Sequence, residues 1–523
     1  CIPEGDHVTQ SSADVSSARP SRAVPVPRLS AQQAQRLGAR VLDRPTRPGT
    51  DSAAGSQATA YLGRCLLVTG LPTGRRQDVV TRLQSTAAVQ GLTVTVDERL
   101  DGVAQQLADL GPVARDIVDR FWVSTVHLDP PSTDDPGRRR PIDAWPVLQD
   151  LRGEGLSAAD VRLDHPAFAC HGFGGSATIP TGGGRRPVSM IIPDPADGLR
   201  RSKRRRPIVV VPDTGIGKHP WFRDEDEVTR TVEVGGVQLG IGGDMNVSRP
   251  KPRNPLDGSL PRYIGHGTFI AGIIRQQCPR ARIEGIPIMD DYGGVNERLL
   301  INTLVALLVR QAVAITRGRA QDMFDVLSLS VGYYHEEPGD EATDPVLAGV
   351  LRALGSWGVC VVAAAGNDGT TAPFHPATFA GQMTGFAADT VPLVSVGALN
   401  PNDSVAHFSN SGPWVSCERV GVEVVSTVPI DAQGTAQPGT GSTHGDRKRA
   451  AVDPDDFSGG FGTWSGTSFA APLLAGQIAA HLTRSRSIDS ADRAATVQRG
   501  WRAVRREIPA WRPPRIKSNA RGS

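Results

Sequence analysis

The sequence is poor in aromatics: Phe, Trp and Tyr make up 5% of 523 residues. It has little cysteine, six residues at positions 1, 65, 170, 278, 360 and 417, and none stands in a CxxC pair. That spacing excludes the usual zinc and dithiol redox motifs and is too sparse for a disulfide framework. The plain reading is of buried free thiols; Cys360, for instance, sits in the apolar run 359–362. Charge of one sign is also lacking. The chain has 57 Lys and Arg against 54 Asp and Glu, a net +3, which is too balanced for a dedicated nucleic-acid binder. No stretch reads as 18 consecutive apolar residues, so no membrane-crossing helix is expected. The 58 glycines and 41 prolines have no three-residue period, which excludes a collagen-like chain. There is no initiating Met and no visible signal peptide. Cys1 leaves a removed leader and a lipoprotein start both open, and the compartment, cytoplasmic or secreted, stays open with them.

What is present is length, divided into segments of different texture. At about 150 residues per domain there is room for three or four units. Residues 1–58 are Ser, Ala, Arg, Pro and Gln without a hydrophobic period, and disorder is expected there. Residues 59–170 carry strand patterns at 64–68, 92–96, 121–128 and 161–168, with helix patterns at 76–88 and 142–152. Two βαβ units predict a small α+β, ferredoxin-like domain. Residues 171–206 read as a Gly/Arg-rich solvated linker ending in RRSKRRR at 200–206, where six of seven residues are basic. A processing site and an anion-binding patch are the other readings of that run. Over 207–485 strands and helices alternate, with strands at 208–211, 283–289, 326–331, 358–365, 394–399 and 422–428. Helices are expected at 265–276, 296–315 and 344–356. This alternation predicts an α/β fold with a doubly wound parallel sheet. Residues 486–523 form a basic tail; from 481 onward eleven Lys and Arg face three Asp and Glu. Trp501 and Trp511 among those arginines suit nucleic acid or an anionic surface. The plainer reading is a helix that packs its Trp on the preceding domain.

Four short stretches carry chemistry. VVVPDTG at 209–215 sets Asp213 where an apolar strand ends, the usual place for ligand and catalytic groups in a parallel sheet. GHGTFIAG at 265–272 sets His266 between two glycines at a helix start. VVAAAGNDG at 361–369 sets Asn367 just past a buried strand. WSGTSFAAP at 464–472 sets Ser468 at the start of an apolar helix. Singly, these read as a turn Asp, a structural His, a turn Asn and a helix cap. Together an acid, a base, a hydroxyl and a side-chain amide make a complete acyl-transfer set.

These four contexts, in the order Asp–His–Ser, resemble the subtilisin-like (subtilase) serine proteases over roughly residues 207–480. FSNSGP at 408–413, VEVVST at 422–427 and IPIMDDYGG at 286–294 resemble further family segments, the last of them a substrate-flanking loop. The resemblance implies peptide-bond hydrolysis through an acyl-enzyme, with Asp213, His266 and Ser468 as triad and Asn367 as an oxyanion donor. It also implies that Leu329, Ser330, Val331 and Gly332 pair with the substrate backbone. With Ala363, Ala364, Ala365 and Gly366 they would wall a pocket for an apolar side chain. No cofactor is required. Structural calcium is frequent in the family, but no calcium site maps onto this chain. Partners would be protein or peptide substrates and an intramolecular propeptide, for which residues 61–168 have the pattern; cleavage would then fall between residues 171 and 207. A permanent accessory domain is the alternative.

The sequence departs from the family pattern at Pro212, at Glu418–Gly421 and in insertions at 224–257 and 431–456. Two other functions stay open: a non-catalytic binding protein on the subtilase fold, and an anion-binding regulatory role beside proteolysis. The GHGT context of His266 disfavours a sedolisin-type carboxylate base.

Overall fold

The computed structural model describes residues 34–42 (36 excepted), 58–130, 142–169, 184–199 (191 excepted), 203–241 (224 excepted), 258–337, 344–380, 388–435, 441–450 and 453–509. Most of 1–58, Cys1, Cys170, Trp511 and the end of the basic tail lie outside them. So does half of the 224–257 insertion.

Strand periodicity builds the N-terminal unit. Cys65–Thr69 alternates, sending Leu66 and Val68 to one face and Leu67 to the other. It lies at the centre of an antiparallel sheet ordered Thr93–Val96, Val123–Asp129, Cys65–Thr69, Val161–Leu163. Helices Arg75–Val89 and Ala144–Gly153 cover the first face, with Val79, Leu83 and Ala87 as the stripe of the former. Asp143 caps the latter, accepting the Trp145 N–H at 3.0 Å. The unit begins earlier than expected. Ala39–Leu42, placed in the disordered segment by composition, is a strand paired with Thr59–Leu62.

Two further helices, Asp101–Ala108 and Pro112–Phe121, were not anticipated. Phe121, expected in a strand, ends the second helix, and the strand starts at Val123. Ile117, Val118, Phe121 and Trp122 are buried in the same core as the helix Glu297–Thr316. Gly349 makes room for Phe121; a Cβ there would come within 2.7 Å of the ring. Asn302 joins the two domains with both ends of its amide, accepting from Val123 N at 3.0 Å and donating to Val123 O at 2.8 Å. Burying a large apolar side chain is worth roughly 1.5–3 kcal/mol. Four of them therefore make this junction core-like rather than a transient contact.

The larger domain is built on a seven-stranded parallel sheet. Its order is Val228–Thr229, Arg282–Pro287, Ile208–Asp213, Val326–Leu329, Cys360–Ala364, Val394–Leu399, Cys417–Val420. The central strands are buried along their whole length, as continuous apolar runs covered on both faces should be. Helices His266–Gln277 and Thr467–Thr483 pack together, as do Glu297–Thr316 and Pro345–Ser356. The strand order reverses at Ile208–Asp213, so a crevice is expected beyond its carboxyl end. Pro212, a departure in the sequence, fits this site. The ladder to Val326–Leu329 spans only Val209 and Val210, so the two strands have already parted where Pro212 lacks its N–H.

Several expectations need correction. The segment 422–428 is not in the main sheet. Val424–Thr427 pairs antiparallel with Phe461–Trp464, which pairs in turn with Arg186–Pro187. The seventh strand is Cys417–Val420, in the stretch where the family pattern broke down. The segment 161–168 is two strands, and the second, Pro166–Ala169, leaves the small domain altogether.

The described part of 171–206 is solvent-accessible throughout, as expected, but is anchored at several points. Trp221 Nε1 donates to Ile192 O at 3.1 Å, Arg275 Nε meets Asp194 at 2.9 Å, and the partly buried Arg205 meets Asp325 at 2.8 Å. The basic tail begins as helix Arg493–Glu507, whose Val497, Trp501 and Val504 join the main core. Glu297–Thr316 has the length and mean hydropathy (1.8) to cross a membrane, contrary to the reading of the sequence, but 72% of that stretch is buried in the protein. The four described cysteines are free, Cys278 and Cys360 fully buried.

Candidate active site

Asp213 is the last residue of its strand and is fully buried. Its carbonyl accepts Ile288 N at 2.8 Å and Met289 N at 3.2 Å, and its Oδ1 accepts Thr214 N at 2.7 Å. A carboxylate fixed this way has one direction left, and His266 lies in it. His266 Nδ1 stands 2.8 Å from Asp213 Oδ1 and 2.9 Å from Oδ2. A carboxylate facing Nδ1 sets the proton there and leaves Nε2 with its lone pair.

Glycine makes that approach geometrically available. Gly265, at φ 79°, turns the chain into the helix His266–Gln277. A Cβ on Gly267 would sit 2.5 Å from Gly215 O, so only glycine lets the helix start reach the strand end. Thr214 Oγ1 accepts Gly267 N at 3.0 Å and locks the two together. The imidazole is walled by Trp464 and Phe469, each with its ring centroid 5.4 Å away, and by Tyr263 at 5.8 Å.

Ser468 is buried in the first turn of helix Thr467–Thr483. A helix supplies no acceptor of its own for the N–H groups of that turn. The residues on either side of Ser468 tie it to the other groups. Phe469 contacts the His266 ring. Thr467 N donates to Asn367 Oδ1 at 2.8 Å, and Gly366 N donates to Thr467 Oγ1 at 3.1 Å. Because Asn367 Oδ1 is committed, Nδ2 is the free end of the amide. It is buried with no hydrogen-bond partner among the described residues. It lies 3.3 Å from where a Cβ on Gly466 would stand, so this donor faces the turn that carries Ser468. An unsatisfied buried donor costs about 1–3 kcal/mol, which is a reason to expect an acceptor there during function.

The expected substrate-pairing stretch lies alongside. Ser330 Oγ donates to Ser468 O at 3.0 Å. Leu329 ends the parallel strand. Val331 and Gly332 form an antiparallel ladder with Ala169 and Phe168 of the N-terminal domain. Phe168, Ala167 and Pro166 pair on their other side with Gly294, Val295 and Asn296. Pro166–Ala169 is thus the middle strand of three. Ala363 and Ala364 are enclosed in the sheet, paired with Ser395 and Val396, whereas Ala365 and Gly366 lie past the strand end.

Some contributors gave no separate signal in the sequence. Asn410, within FSNSGP, organises the Asn367 loop. It donates to Ala365 O at 3.0 Å and accepts Asp368 N at 2.9 Å. Burial pushes the Asp368 carboxyl up to about 6, against the pull of the Tyr334 hydroxyl that donates to it at 2.8 Å. Arg185 stacks over Phe457 and Trp464 and donates to Ile264 O beside the site.

Comparison with known proteins bears on the same region. The family model described as "Subtilase family" matches residues 204–501, more than half of the chain. Subtilisin amylosacchariticus of Bacillus subtilis subsp. amylosacchariticus is 25% identical over 285 residues, covering 51% of this chain and 59% of the relative. Subtilisin of Bacillus pumilus is 24% identical over 285 residues, 51% and 82% respectively. A thermophilic serine proteinase of Bacillus sp. strain AK1 is 28% identical over 173 residues, 31% and 36%. The chain therefore spans about 59% of the length of the first of these.

Proposed function

The chain belongs to the subtilase family, and from that premise we propose that it is a serine endopeptidase. The observation that carries the reading is the buried Asp213–His266 pair, with both carboxylate oxygens within 2.9 Å of Nδ1. His266 Nε2 takes the Ser468 hydroxyl proton as Oγ attacks a peptide carbonyl. Asp213 keeps the ring oriented and stabilises the imidazolium that forms. Asn367 Nδ2 and the Ser468 N–H hold the developing oxyanion. The proton then passes from His266 to the leaving amine, and water, activated by the same imidazole, hydrolyses the acyl-enzyme. No cofactor enters these steps. The small residues Ala365 and Gly366 and the apolar Val331 favour an apolar side chain before the bond cut.

The test is labelling of the chain by a fluorophosphonate together with peptide hydrolysis, in wild type and Ser468→Ala. Loss of both in the variant is expected. Hydrolysis that persists undiminished would reject the assignment. A folded wild type that neither labels nor cleaves would favour a non-catalytic scaffold.

A second reading concerns the N-terminal domain, which we take to be a ferredoxin-like, propeptide-type inhibitor of its own cleft. Its support is Pro166–Ala169, seated on the stretch assigned to pair with substrate. At Ala169 the chain is one ladder step from Ser330, which is bonded to Ser468. On this reading the bond cut follows shortly after Ala169, close to the 171–207 interval expected from sequence. Intact mass of purified wild type and Ser468→Ala tests it. Two fragments from the former and one chain from the latter are expected. A single full-length species from an active wild type would make this a permanent domain.

A further inference from the structure

We propose that His165, His335 and Glu336 form a divalent transition-metal site, of zinc type, that joins the N-terminal domain to the larger domain. The register of the junction strands supplies the first argument. Ala169 pairs with Val331 and Phe168 with Gly332. Followed backward, that antiparallel register sets His165 opposite His335. One imidazole thus comes from each domain, and Glu336 follows directly.

The three side chains are 0%, 2% and 0% exposed. Their ligand atoms all lie within 4.8 Å of one another. His165 Nε2 is 2.8 Å from Glu336 Oε2, and His335 Nδ1 is 3.3 Å from the same oxygen. Zinc bonds of about 2.0–2.2 Å in a tetrahedral site set neighbouring ligand atoms roughly 3.3 Å apart. The two imidazoles offer ligand atoms within 4.8 Å of each other, so the rings must close in on the ion, and His335 Nδ1 must give up the Glu337 N–H that it accepts at 3.2 Å. Two imidazoles and one carboxylate suit zinc-like ions, whereas calcium and magnesium take all-oxygen shells.

The surroundings are those of a ligand set rather than of a plain ion pair. Glu297 Oε2 lies 2.6 Å from His165 Nδ1, so an ion would be met by Nε2, which here lies against Glu336 Oε2 at 2.8 Å. Glu297 is itself held, with Oε1 3.3 Å from Arg162 Nε. Glu336 Oε1 lies 3.4 Å from Arg152 Nη2. Imidazole nitrogen is also left over. His335 Nε2 and both nitrogens of the buried His375 have no hydrogen-bond partner among the described residues. The His375 ring centroid is 5.5 Å from that of His335, in reach of a fourth position. Charge points the same way. The buried carboxylates Glu297, Glu336 and Asp344 gather around two guanidiniums, Arg152 and Arg162. Excess negative charge away from water is costly, and a divalent cation offsets it.

This site is separate from the reaction assigned to Ser468, so it is tested in the full-length Ser468→Ala chain, where self-cleavage cannot intervene. Dialysis against zinc and metal analysis should give one ion per chain, and cobalt substitution should give the intense visible bands of a tetrahedral site. Zinc should raise Tm by mass action. In His335→Ala the bound ion, the cobalt spectrum and the Tm response should all be lost. Glu297→Gln, which only disturbs the positioning of His165, should weaken binding about 10–100-fold. A folded parent chain that retains no zinc and shows no Tm response overturns the proposal, whatever the variants do. So does one ion per chain that survives unchanged in a folded His335→Ala.

Discussion

Two buried histidines, His266 and His165, are held by carboxylates in opposite ways. His266 has one carboxylate, on Nδ1, and aromatic rings around the rest of its perimeter. His165 has a carboxylate on each nitrogen, Glu297 at 2.6 Å and Glu336 at 2.8 Å. An imidazole that must accept a proton and give it up needs one nitrogen uncommitted, and Gly267 lets its helix start close on the strand end that carries Asp213. A ring engaged at both nitrogens is a junction, and its place between the two domains fits that use. Burial and a carboxylate partner do not by themselves set the role of an imidazole; the state of the second nitrogen is what separates these two rings.

Removing each ring should give different readouts. His266→Ala should lower kcat by about 10⁶ with a melting temperature close to wild type, measured by peptide hydrolysis and thermal unfolding. His165→Ala should do the reverse in the intact chain. It leaves Glu297 and Glu336 buried without their shared partner, and breaking such an arrangement costs about 3–5 kcal/mol. Urea unfolding of the Ser468→Ala chain with and without that change measures it. Equal stabilities would mean that the cluster is replaceable, and the contrast between the two rings would fail. Asn367→Ala comes next, with a loss of about 10²–10³ in kcat and little change in KM. An equal loss in stability would instead make Asn367 a structural bond to Thr467.

The same contrast explains what was legible in the sequence. Asp213, His266, Asn367 and Ser468 each stand at a strand end or helix start beside glycines, and local pattern marks such places. The main sheet was legible where strands are continuous apolar runs. Cys417–Val420 was not, because an edge strand carrying Glu418 and Arg419 has little apolar signal. The helices Asp101–Ala108 and Pro112–Phe121 are amphipathic, but Gly111 and Pro112 break the period into two short runs. Pro166–Ala169 was assigned to the wrong sheet because a strand's own residues do not say which partner it will pair with. The run 200–206 shows the same limit for charge. The Arg205 side chain is 9% exposed against Asp325 while that of Arg204 is 43% exposed against Asp489, and composition cannot tell them apart.

A third ring, His219, sharpens the comparison because no carboxylate touches it among the described residues. It packs edge-on to Trp221 and Phe461 at 5.6 Å and 5.1 Å, and its Nδ1 accepts Trp221 N at 3.1 Å. Burial pushes its pKa down to about 4, with only weak opposing pulls from Gly460 and Asp194. Its folded value lies below the ordinary 6.5, so the neutral ring is the one the fold accepts. The stability it contributes is present above pH 6.5 and is lost as pH falls through about 4. The loss should not exceed roughly 3 kcal/mol, the free-energy equivalent of that shift. Urea unfolding from pH 7 to pH 4, compared between the Ser468→Ala chain and the same chain carrying His219→Gln, isolates it. The glutamine variant should lose less stability over this interval. If both fall in parallel, His219 is not the acid-sensitive group, and an imidazole without a carboxylate partner would be as indifferent to pH here as any neutral side chain.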